Sequence, residues 1–131
     1  MDIILLENIG FLKALFLMLF LHFVADWILQ TDALAKFKQK KSWKEINSFT
    51  QDKYKNDYYM VLFTHSFMWS FFTFLPLWNN KLFYIIVVMN TIVHFIVDDE
   101  KANKCSISLV QDQLAHFAEI LVSLIAAYLM M

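Results

Sequence analysis

Arginine is absent from the 131 residues, and glycine, proline and cysteine occur once each. So little glycine and proline, in a chain 60% hydrophobic, is a poor match to a soluble domain of mixed structure and suits a few long apolar helices joined by short polar pieces. One cysteine, Cys105, excludes an internal disulfide, so no oxidising compartment is implied. All eleven basic residues are lysines, and no Gly-rich phosphate loop or nucleic-acid fold signature accompanies them, so no nucleic-acid partner is expected. The formal net charge of −1 is uninformative, because the charges are segregated along the chain.

What is present is apolar residue in long runs, 60% of the total. Residues 9–29 are apolar apart from Lys13, His22 and Asp26. At ~1.5 Å per residue such a run crosses a hydrocarbon layer of ~30 Å. Residues 60–78, 82–98 and 109–131 form three further runs. An isolated strand cannot satisfy its backbone in lipid, so the runs predict an all-α fold. The expected architecture is a four-helix transmembrane bundle with spans at about 9–30, 60–78, 82–98 and 109–131, in one domain covering 1–131. Ala33-Leu34-Ala35 has the form of a signal-peptidase site, but Asp2 and Glu7 replace the usual basic start and polar residues interrupt the run. The first run therefore reads as a retained helix.

Residues 31–59 are different: seven lysines interleaved with Trp43, Phe49, Tyr54, Tyr58 and Tyr59. This composition suits a membrane-surface segment drawn to anionic lipid headgroups, which makes membrane lipids the expected partners; the sequence says nothing of oligomeric state. With four spans, 31–59 and 99–108 share one side and carry nine of the eleven lysines. The positive-inside rule then puts both connections in the cytoplasm and both termini outside the cell membrane, as expected for a bacterial inner-membrane protein.

All four histidines lie in the apolar runs. His22 precedes Asp26 by four residues, His94 precedes Asp98 by four, and Asp112 precedes His116 by four. That spacing puts each pair on one helix face. With alternating helix directions, all three pairs and His65 come to one membrane level. His-Phe-x-x-Asp recurs in the first and third runs, which suggests two parallel helical hairpins related by an axis along the membrane normal.

Four imidazoles and three carboxylates between helices form the ligand set of a transition-metal site. His22, His65, His94, His116, Asp26, Asp98 and Asp112 are the candidate ligands, and zinc is the expected metal, with manganese or iron as alternatives. The seven groups exceed one tetrahedral ion, so either two metals bind or the aspartates orient ligating histidines. Asp26, Asp98 and Asp112 are the candidate catalytic residues, and Lys101, Gln30 and Gln113 the candidate substrate-binding residues. Metal-dependent hydrolysis of a lipid or lipid-linked phosphate ester is the leading function. Two others stay open: polar pairs that fix helix packing without catalysis, and an ion or proton pathway.

His22-x-x-x-Asp26-x-x-x-Gln30, then His65, then His94-x-x-x-Asp98-x-x-Lys101, then Asp112-Gln113-x-x-His116 resembles the domain-of-unknown-function 3307 family, small membrane proteins of bacteria and their mobile elements. The resemblance spans nearly the whole chain and implies no activity. The helical His/Asp layout is also similar to that of the LexA-regulated membrane-bound metal-dependent hydrolases, at the level of architecture. The long 31–59 connection and the doubled Asp98-Asp99 depart from the family pattern, and neither removes a motif residue.

Overall fold

The computed structural model describes residues 10–45 and 52–130. Asp2, Glu7 and Phe49, on which parts of the topology and surface readings rest, lie outside the described residues. Those described form six α-helices and no strand: α1 (Phe11–Phe23), α2 (Asp32–Phe37), α3 (Lys40–Lys44), α4 (Tyr58–Phe74), α5 (Phe83–Asp99) and α6 (Leu109–Leu129). The lysine-rich connection is thus partly helical. Trp43 Nε1 donates to the Phe37 carbonyl at 2.7 Å and ties α3 back to α2.

Three helical stretches are long and apolar enough to cross a membrane: Phe11–Ile28, Tyr58–Leu77 and Leu109–Leu129. α5 has 17 residues. At ~1.5 Å per residue that is about 25 Å, short of a ~30 Å hydrocarbon layer. The helix does not stop at Asp98, as the expected span does. It runs to Asp99 and widens into a π-helical turn, Glu100–Lys104, which ends at Cys105 in the left-handed conformation (φ 53°). Lys104 donates to Glu100, and Ser106 Oγ donates to the same carboxylate at 2.5 Å. The bond from Lys104 holds the Glu100 carboxyl below its ordinary pKa.

α1 also ends in a π-helical turn, Val24–Ile28, where Leu29 N–H reaches back five residues to the Val24 carbonyl at 2.9 Å. Wide turns of this kind are uncommon and concentrate at functional sites. α6 starts more conventionally. Ser108 Oγ accepts from Gln111 N–H, and the Gln111 side chain returns the bond to Ser108 N–H, a capping box.

α4 packs along α5, α1 lies against α4 and α6, and α6 closes on α5, so the four long helices follow one another around an axis. Each buries residues at three- and four-residue spacing, as in Ala14-Met18-His22 on α1 and Leu62-His65-Trp69-Thr73 on α4. The interior has two storeys. One end is apolar, built from Ala14, Met18, Phe74, Phe83, Val87, Leu124 and Ala127. The other end collects buried imidazoles and carboxylates. Trp69, wholly buried, stands between the two. Asn90 Nδ2 donates to Ser123 Oγ at 2.8 Å and links α5 to α6 within the bundle.

Candidate metal centre

Four long helices bring the polar storey together. His22 and Asp26 arrive from α1 and its π turn, His65 from α4, His94 and Asp98 from α5, and Asp112 and His116 from α6. His22, His94, His116 and Asp112 have no exposed surface, and Asp98 has 1%.

His65 Nε2 is the hub of the first group. It lies 3.3 Å from His94 Nε2, 3.3 Å from Asp98 Oδ2 and 3.6 Å from Asp26 Oδ1. His94 Nε2 lies 3.8 Å from Asp98 Oδ2. A tetrahedral ion with bonds of ~2.0–2.1 Å sets its ligand atoms roughly 3.3 Å apart, so the separations from His65 Nε2 are of ligand spacing. Asp26, His65 and His94 each offer a ligand atom within 4.8 Å of the others. Two further groups satisfy the same measure, Asp98-Asp112-His116 and His94-His116-Glu119.

His22 sits apart from that shell. Trp69 Nε1 donates to its Nδ1 at 2.8 Å. Indole N–H is only a donor, so Nδ1 accepts and the proton of the neutral ring is on Nε2. Nε2 then donates to Gln113 Oε1 at 3.1 Å. The Gln113 amide is thereby oriented, and its Nε2 donates to Asp26 Oδ2 at 3.1 Å and Asp112 Oδ2 at 3.3 Å. Both His22 nitrogens are engaged, and its influence reaches the carboxylates through Gln113. The expectation treats His22 as a ligand and Gln113 as a substrate contact; in the structure the two are hydrogen-bonded to each other, and Gln113 to Asp26 and Asp112.

Three rings reinforce the arrangement. His94 packs against Trp69 and His116, with centroid separations of 4.1 and 4.2 Å, and Trp69 and His116 are 5.0 Å from each other. Such stacking fixes ring planes and so the directions of their nitrogens.

Two lysines reach the carboxylates. Lys101 Nζ lies 2.5 Å from Asp112 Oδ2. Lys38, from the turn after α2, is only 7% exposed, and its Nζ lies 2.8 Å from Asp98 Oδ2 and 3.2 Å from Gln30 Oε1. Gln30 thus holds Lys38. Asn103 pins that stretch from the other side, accepting from Lys40 N–H at 2.7 Å and donating to the Lys38 carbonyl at 3.2 Å and Asp99 Oδ1 at 2.8 Å.

Sequence reasoning missed Lys38, Asn103 and Trp69. Lys38 is one of seven lysines in a polar stretch, and nothing local sets it apart. Trp69 was findable, because it lies four residues past His65 on the same face. Glu119, three residues past His116, was visible as an extension of that face, and the structure puts its Oε1 3.2 Å from His116 Nδ1.

The fold and this cluster describe an all-helical protein with helices apolar enough to cross a membrane and a buried His/Asp centre at one end. The chain belongs to the family described as Protein of unknown function (DUF3307), whose profile matches residues 14–131. No curated protein and no solved structure matches it.

Proposed function

We propose that the protein is an integral membrane metal-dependent hydrolase acting on a lipid or lipid-linked phosphate ester. The observation that carries it is the set of three ligand atoms 3.3–3.6 Å from His65 Nε2, which together with His65 bring α1, α4 and α5 to one point. His65, His94, Asp98 and Asp26 would hold the ion. Imidazole and carboxylate suit zinc first, then manganese or iron. A bound divalent ion supplies two things: acidity to a water and polarisation of a phosphoryl oxygen.

The chain's own residues supply the rest. The Gln113 amide orients both Asp26 and Asp112, and Asp112, outside that ligand set, is the carboxylate placed to take a proton from water. Lys101, with nearly a third of its side chain exposed, stands at the mouth, where an ammonium can hold a phosphate as a point charge.

In this reading α5 is a fourth span. Tyr84, Ile85, Val88, Met89, Ile92 and Ile96 all turn outward along it, an apolar stripe suited to lipid. The cyclic order α1-α4-α5-α6 sets the two His-x-x-x-Asp helices diagonally opposite, which supports the two-hairpin relationship. The lysine-rich connections would lie in the cytoplasm with anionic headgroups beside them. An Asn47→Cys variant on a Cys105→Ser background should resist an impermeant thiol reagent in intact bacteria. Labelling from outside would overturn the orientation.

Elemental analysis of detergent-purified protein tests the centre. Stoichiometric zinc, manganese or iron is expected, with the content lost in His65→Ala and His94→Ala. Metal content that is low in the parent and unmoved by either substitution would mean that the pairs serve helix packing alone.

A further inference from the structure

We infer that Asp98, Asp112 and His116 form a second cation site, so that the centre takes two ions. This rests on the metal reading above and extends it. The three groups each offer a ligand atom within 4.8 Å of the others, and all three are buried. Proximity alone would be weak ground, because buried carboxylates and histidines also pair with each other. Two buried atoms without hydrogen-bond partners are the second observation.

His116 Nδ1 lies 3.2 Å from Glu119 Oε1. An ionised carboxylate only accepts, so Nδ1 carries a proton, and Nε2 is either the lone pair of a neutral ring or the second N–H of an imidazolium. Nε2 lies 3.3 Å from Asp112 Oδ1, and neither atom makes a hydrogen bond of good geometry. With the ring neutral, these are two buried acceptors facing each other without a donor, which is unfavourable. A cation between them satisfies both, and 3.3 Å is again the ligand spacing of a tetrahedral ion. The other oxygen of Asp112 is already taken by Lys101 at 2.5 Å and Gln113 at 3.3 Å, which leaves Oδ1 as the one for the ion.

Glu119-His116-ion is the carboxylate–histidine–metal order that fixes a ligating imidazole in its tautomer. Glu119 is therefore a positioning residue for this site. Asp98 lies between the two groups: it belongs to the second, and its Oδ2, which also accepts from Lys38 at 2.8 Å, is 3.3 Å from His65 Nε2 of the first. A carboxylate shared between ions would set them about 3.5–4 Å apart, the separation of two-metal hydrolytic centres.

The test uses the full chain in detergent, stripped with chelator and titrated with manganese(II) under electron paramagnetic resonance, with zinc stoichiometry measured in parallel. The parent should take two ions per chain, with an exchange-coupled manganese signal at saturation. Glu119→Gln keeps the side-chain shape and should weaken only the second ion, by about 10–100-fold, as loss of such an orienting partner does. His65→Ala should remove the first. One ion per chain, lost in His65→Ala and unmoved by Glu119→Gln, would overturn the second site and leave the first standing. No ion in the parent would overturn both.

Discussion

Lys38→Met is expected to destabilise the metal-free protein by about 3–5 kcal/mol, the usual penalty for breaking a buried ion pair from one side. The ammonium is 2.8 Å from Asp98 Oδ2, and the side chains of the pair are 9% and 2% exposed. Removing it strands the carboxylate among two imidazoles and apolar helix surface. Asp98→Asn alone strands the ammonium in turn, relieved in part by Gln30. The double variant Lys38→Met/Asp98→Asn should recover most of the loss, because the two effects share one interaction. Denaturant titrations in detergent, with chelator present, measure the cycle. Single variants within about 0.5 kcal/mol of the parent would make Lys38 an ordinary surface lysine.

Trp69→Ala should cost about 3–5 kcal/mol, the range for emptying a large buried aromatic. The informative variant is Trp69→Phe. It keeps a ring against His94, at present 4.1 Å away between centroids, but removes the donor to His22 Nδ1. A buried imidazole nitrogen left unpaired costs about 1–3 kcal/mol. The same variant should disturb the carboxylates, since His22 orients Gln113. Thermal unfolding gives the first effect and metal affinity the second. A Trp69→Phe protein with parental values for both would show that the bond to His22 carries nothing.

The site was legible in sequence where spacing carried it. His22/Asp26, His94/Asp98 and Asp112/His116 each sit four apart in an apolar run, where a polar pair is conspicuous and helix geometry forces a shared face. The helices were legible for the same reason: length and hydropathy decide membrane competence with little help from packing. The hidden part depends on long-range contact. Lys38 meets Asp98 across 60 positions, and Trp69 meets His22 across 47. No local pattern encodes either meeting. The π turns were equally invisible, since a one-residue widening leaves hydrophobic periodicity almost unchanged over a single turn. Division of labour among the histidines was hidden too. By type all four are equivalent ligands; only the donors around them separate His22 from His65.

The amide of Gln113 has one more consequence. Its oxygen accepts from His22, and its nitrogen donates to Asp26 and Asp112. A histidine or a water in that position could take a proton on one side and release it on the other. A neutral amide has no low-lying form that does so, because its two ends are fixed as acceptor and donor. Gln113 is therefore an insulator. His22 and Trp69 can hold the carboxylates in place, but no proton passes through Gln113 between them and the centre, whatever chemistry the centre performs.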